Sequence, residues 1–147
     1  MTEKVKGMPK LFTSVNTSVK ELVDLEIRTA TDTADITKDK SKAIYKSMED
    51  IRNFEENAKR FFAAGEIPGF VHLYAGEEAV AVGVCAHLSD EDYITSTHRG
   101  HGHCIAKGGD LKGMMAEIFG KATGLCKGKG GSMHIADMDK GILGANG

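Results

Sequence analysis

The sequence predicts a chain that mixes α-helices with β-structure, and three stretches carry that prediction. Between residues 38 and 64, apolar side chains return at steps of three and four, the period of a helix with one buried face. Residues 77–88 are almost continuously small and apolar, as in a helix packed closely on several sides. Tyr93-Ile94-Thr95 is β-prone and runs into an arginine and three histidines spaced by glycines, with a helix opening at Cys104-Ile105-Ala106. That layout describes a strand end delivering polar groups into a cleft.

Each element has local reasons. Thr37 can cap the first helix, and Ile44, Met48, Ile51, Phe54, Ala58, Phe61 and Phe62 form its apolar face. Glu49, Arg52, Glu55, Glu56, Lys59 and Arg60 are expected on the solvent side, and Gly65 with Pro68 ends the helix. It reads as a packing or subunit-contact helix without a catalytic role. The loop 65–76 holds His72 among apolar neighbours, which by composition alone is more often a hydrogen-bonded core residue than a catalyst. Glu77 and Glu78 open the second helix, where the dipole favours acids, and His87 caps its far end. Asp110 opens another helix through Met114, Met115, Ile118 and Phe119, which Gly120 closes.

The 147 residues suit one domain with a substantial core. With 19 basic and 21 acidic side chains, a nucleic-acid-binding surface is not expected. No apolar run approaches membrane-span length. Cys85, Cys104 and Cys126 are odd in number and widely spaced, which fits reduced thiols in a cytoplasmic protein. Residues 1–36 read as a loosely ordered leader with a short amphipathic helix at 19–28. Its many acids argue against a transit peptide. All six histidines lie between His72 and His134, so chemistry belongs to the second half.

Within that half, Gly100 and Gly102 would let backbone N–H groups approach a ligand, and Arg99 adds a forked cationic donor suited to phosphate. A plain solvated loop is the competing reading. A histidine metal site is disfavoured, because no carboxylate lies between or just after His98 and His101. The loop Lys127-Gly128-Lys129-Gly130-Gly131-Ser132-Met133-His134 misses the nucleotide-binding patterns, since Gly130 stands where Ser or Thr is required. Its basic, glycine-rich character still favours anions, with a flexible surface loop as the alternative. Ser132 and His134 have no orienting acid nearby in sequence, so a hydrolytic triad is weakly supported.

Four segments together carry a family resemblance: Gly-Phe-Val-His-Leu-Tyr-Ala-Gly-Glu-Glu-Ala from Gly69, Asp-Tyr-Ile-Thr-Ser-Thr-His-Arg-Gly-His-Gly from Asp92, Gly-Lys-Gly-Gly-Ser-Met-His from Gly128, and the closing Gly-Ala-Asn-Gly. Over residues 38–147 the chain resembles α subunits of the thiamine-diphosphate-dependent 2-oxo acid dehydrogenase family. The resemblance implies an α/β fold, a parallel sheet flanked by helices that binds the coenzyme at a subunit interface. It implies that Arg99 holds the coenzyme diphosphate, that His98 lies beside the thiamine rings, and that His72, His98 and His101 are catalytic histidines, His72 and His101 at or near the active-site channel that the 128–134 loop lines. His72 thereby changes from a bland core residue to a candidate catalyst.

The implied reaction attacks a carbonyl with the coenzyme carbanion, cleaves the adjacent carbon–carbon bond and passes a two-carbon unit to a lipoyl group. Acetoin is the first substrate expected; pyruvate or a branched-chain 2-oxo acid is the second. The implied partners are a β subunit, which carries the activating glutamate, and a lipoyl-bearing acyltransferase. Magnesium is also implied, yet its family motif would lie past Gly147 and nothing here matches it. Residues 37–147 are therefore expected to form a truncated part of the coenzyme-binding domain, with little activity alone and with apolar helix faces left undercovered. A non-catalytic assembly module is the reading from another class.

Overall fold

A computed structural model describes residues 36–145. The leader up to residue 35 and its expected helix at 19–28 lie outside the described residues. Helix α1 spans Lys38–Ala63, directly after Thr37, and the chain turns away through Gly65 in the left-handed region at φ 74°. Ile51, Phe54 and Ala58 of α1 enter a core shared with Ile67, Tyr74, Val82, Cys104, Met114 and Ile142. Phe61 meets Phe119 edge to face at 5.3 Å. Phe62, expected on the apolar face, is instead exposed, because the helix period carries it around from Phe61.

Glu55 departs furthest from expectation. It was assigned to the solvent side, yet its exposure is 0 %. It lies four residues after Ile51 and three before Ala58, so the periodicity that buries those two buries Glu55 with them. Arg52, by contrast, stays at the surface and donates to Glu78 Oε1 at 2.6 Å. That guanidinium, together with the Gly76 N–H, outweighs burial and holds the Glu78 carboxyl down at about 2.

Helix α2 spans Glu78–Cys85 and ends sooner than expected. Ala81, Val82 and Cys85 are buried, but Val80 and Val84 are exposed, so the helix is covered on one side and not all round. Its cover among the described residues comes from α1 and from α3, which spans His101–Ala106. The His87 ring donates from Nδ1 to the Gly83 carbonyl at 2.9 Å, the capping role expected of it.

Strand β1 spans Ile94–Ser96 and pairs in parallel with β2, Ile142–Ala145, in the register Ile94↔Ile142. Parallel pairing requires a crossover, supplied by α3 and by α4, Leu111–Ile118. The Asp110 carboxylate caps α4 by accepting the N–H groups of Lys112 and Gly113, as expected. A short 3₁₀ turn, Met138–Lys140, precedes β2. Buried Lys107 ties these parts together, donating to the Ser89 carbonyl at 2.7 Å and the Lys140 carbonyl at 2.9 Å.

Helix α3 begins three residues earlier than expected, which places His101 and His103 on a helix and leaves only residues 97–100 as the turn. Gly102 is required there for packing and not for ligand approach. A Cβ at that position would lie 2.1 Å from the Tyr74 ring. The three cysteines are free thiols, and burial pushes Cys104 up to about 12. No helix among the described residues is long and apolar enough to cross a membrane.

Candidate functional site

The parallel strand β1 ends at Ser96, and the turn after it turns His98 and Arg99 toward the loop segment 71–74. Such strand ends are where ligands meet open α/β sheets. The His72 and His98 rings stand edge to face, 5.0 Å between centroids with an interplanar angle of 88°. Arg99 Nη1 donates to the Leu73 carbonyl, next to His72. A guanidinium carries five N–H donors, and that is its one side-chain hydrogen bond among the described residues. His98 is exposed, while His72 and Arg99 are half-buried. Three of the four candidate residues therefore share one surface.

His101 lies behind that surface. Its exposure is 0 %, with Phe54 edge to face against the ring at 5.7 Å. Nδ1 donates to Glu55 Oε1 at 2.8 Å, and Nε2 lies 2.9 Å from Ser132 Oγ and 3.1 Å from the Ser132 carbonyl. Ser132 Oγ in turn accepts the backbone N–H of His72 at 3.3 Å. The buried chain thus runs from α1, through α3 and the glycine-rich loop, to the backbone N–H of His72. Glu55 Oε2 has no hydrogen-bond partner among the described residues.

The order serine, histidine, carboxylate is that of a hydrolytic triad, but it places Ser132 with His101 and not with His134. Ser132 is itself buried and its hydroxyl is engaged with the His72 backbone, so no acyl group has access to it.

The glycine-rich loop is not the anion cradle its composition suggested. Its backbone N–H groups converge on a residue of the protein itself, Glu117 of α4. Glu117 Oε2 accepts from Cys126 and Gly128, each at 2.8 Å, and Oε1 accepts from Gly130 at 2.7 Å and Gly131 at 3.2 Å. Burial pushes this carboxyl up, but the four N–H groups outweigh it and leave its pKa below the ordinary value. Gly128 is at φ 73°, and a Cβ there would lie 2.4 Å from the Gly120 carbonyl carbon. Its glycine is set by the wrap around Glu117.

His103 was not singled out from sequence, yet it joins the strand end to the loop. Tyr74 Oη lies 3.0 Å from His103 Nε2, and Ser96 Oγ bonds Nδ1. Burial lowers the pKa of this imidazole. The cue available in sequence was spacing: Ser96 and His103 flank the predicted turn. Beside them lies a cavity of about 10 Å³, lined by Ser96, Gly100, His103 and Ser132 among others, which has room for one water. A larger groove of about 340 Å³ between α1 and α4 has no histidine or arginine in its lining.

The dehydrogenase E1 component family model matches residues 46–147. The alpha subunit of acetoin:2,6-dichlorophenolindophenol oxidoreductase from Bacillus subtilis is 75% identical over 112 residues, 76% of this chain and 34% of that protein. Its counterpart from Cupriavidus necator is 59% identical over 122 residues, covering 82% and 37%. The pyruvate dehydrogenase E1 component subunit alpha of Porphyra purpurea is 45% identical over 109 residues, covering 74% and 32%. The chain spans about a third of the length of the curated relatives it matches. These matches bear out the resemblance and the α/β fold it implied: the chain belongs to the dehydrogenase E1 component family.

Proposed function

We propose that this chain supplies the α-side coenzyme surface of a cytoplasmic, thiamine-diphosphate-dependent enzyme that cleaves acetoin and delivers a two-carbon unit to a lipoyl group. The observation that carries the reading is the convergence of Arg99, His98 and His72 at the end of a parallel strand. The substrate follows the names of the two acetoin-linked relatives, at 75% and 59% identity. Pyruvate is the second reading, favoured by the 45% identity to a pyruvate dehydrogenase α subunit.

The donor set fits the coenzyme. Arg99 offers charged N–H donors to a diphosphate, with the exposed His98 ring beside it. When bound, thiamine diphosphate supplies the nucleophilic carbon and the electron sink for carbon–carbon cleavage. The chain's own residues bind and shuttle protons: Arg99 orients the diphosphate, His98 borders the rings, and His72 moves a proton to or from the substrate oxygen. His101, sealed from solvent, positions the site and does not reach substrate.

Magnesium does not fit the described residues. Among them no group of three or more His, Cys, Asp or Glu is placed to hold a metal ion, so its ligands would come from elsewhere. Likewise the cavity by Ser96 and His103 holds only about 10 Å³, far below the roughly 300 Å³ of a ligand pocket. The coenzyme would therefore lie on the open surface and be covered by a second polypeptide, the β subunit, with a lipoyl-bearing acyltransferase receiving the product.

The test is turnover of the full α subunit that carries these residues, assembled with its β partner, with acetoin and pyruvate compared. Acetoin is expected to be preferred in kcat/KM by about tenfold or more. His72→Ala should lower kcat about a hundredfold. Turnover of neither substrate, or an unchanged kcat in the variant, overturns the reading.

A further inference from the structure

We propose that Glu55 and Ser132 are positioning residues: the buried chain Glu55–His101–Ser132 fixes the backbone of His72 and, through it, the angle at which the His72 and His98 rings meet. This inference rests on the assignment of those rings to the coenzyme surface.

Four observations carry it. The chain is continuous, each link lying between 2.8 and 3.3 Å: Glu55 to His101, His101 to Ser132, and Ser132 to the His72 N–H. It is sealed, since Glu55 and His101 have 0 % exposure and Ser132 has 7 %. A hydrogen-bonded chain in a low-dielectric interior is stiff, because any displaced member leaves a buried polar group without a partner. The chain also ends on a residue of the site and not in the core, which distinguishes it from an ordinary buried pair.

The fourth observation concerns cost. Glu55 keeps one carboxylate oxygen, Oε2, buried and unpartnered among the described residues. A carboxylate retained only for stability would be expected to satisfy both oxygens, as Glu117 does. A half-satisfied buried carboxylate is costly, and an apolar side chain of similar volume would suit a position with no solvent exposure. What an apolar side chain would lack is a grip on His101 Nδ1. That grip sets the plane of the imidazole, and with Nδ1 donating to Glu55 the Nε2 atom accepts the Ser132 hydroxyl at 2.9 Å. Ser132 thus stays where its Oγ meets the His72 N–H.

The experiment uses the full α subunit that carries these residues, assembled with its β partner. Ser132→Ala and Glu55→Ala are each expected to lower kcat about tenfold or more while the affinity for thiamine diphosphate changes less than about twofold. Glu55→Gln keeps an oxygen acceptor at the same reach and should recover most of the loss. Purely structural residues would lower thermal stability and leave kcat of the folded enzyme within about twofold; that result overturns the proposal.

Glu55→Ala is the variant most exposed to misfolding, so Ser132→Ala, which removes one oxygen, carries the decision. Site-resolved hydrogen exchange in the same assembly should show the His72 amide exchanging about fivefold faster in Ser132→Ala, the equivalent of one lost hydrogen bond. Unchanged exchange overturns the relay whatever the activity. Faster exchange in an assembly that turns over no acyloin or oxo acid supports the relay and removes the coenzyme reading instead.

Discussion

Two glutamates among the described residues are completely buried, and they are treated in opposite ways. Glu117 receives four backbone N–H groups from one loop, two on each oxygen. Glu55 receives one ring N–H and keeps its other oxygen without a partner among the described residues. A buried charge surrounded by donors acts as a structural centre, and the loop folds around it. Glu55, joined to a single histidine that leads to the site, costs stability and confers position. The first carboxylate organises the glycine-rich loop, and the second aligns the His72 backbone.

Substitution separates the two. Glu117→Ala empties a fully buried carboxylate site and strands four part-buried N–H groups, so it should produce the largest loss, on the order of 3–5 kcal/mol in a denaturation experiment, with the 126–131 loop disordered. Gly102→Ala forces a methyl into the Tyr74 ring and should cost about 1–3 kcal/mol, a packing effect independent of either carboxylate. Glu55→Gln should change stability by less than about 1 kcal/mol, because the amide keeps an acceptor for His101 and removes a poorly satisfied charge. Equal losses for Glu55→Gln and Glu117→Gln would erase the contrast.

A pair between half-exposed Arg52 and buried Glu78 supplies the reference. Glu78 is held at about 2 by Arg52, well below its ordinary 4.5, so its contribution is complete above pH 4.5 and is lost as pH falls toward 2. Arg52 is half exposed, with 52% side-chain exposure, and water screens the pair; the contribution is about 1 kcal/mol. Glu78→Gln should flatten the acid limb of the stability profile by that amount and leave the neutral limb's slope unaltered. Thermal melts from pH 2 to 7 read it directly.

Much of the fold was legible because it is local. The spacing of Ile51, Phe54 and Ala58 gives α1, Asp110 gives the start of α4, and the β-prone run at 93–95 falls within one residue of β1. Glu55 was misplaced because residue type overrode period, although its spacing from Ile51 already assigned it to the buried side. Glu117 was invisible for a different reason: its partners are nine to fourteen residues away, and no local pattern says that a loop will wrap around it. The glycines around His101 suggested a turn, yet Gly102 exists because of a ring 28 residues earlier in sequence. Arg99 stands out by its own chemistry between glycine-flanked histidines, whereas the roles of His98 and His72 came from resemblance; spacing alone offered no reason for residue 72 to meet residue 98.

The buried frame matters only if Arg99 faces a coenzyme. Calorimetric titration of thiamine diphosphate into the assembled α–β enzyme, with Arg99 and with Arg99→Ala, addresses this directly. Removing a charge-assisted contact of about 1.5–3 kcal/mol should weaken binding roughly tenfold or more, with turnover at saturating coenzyme largely retained. An unchanged dissociation constant would contradict the account.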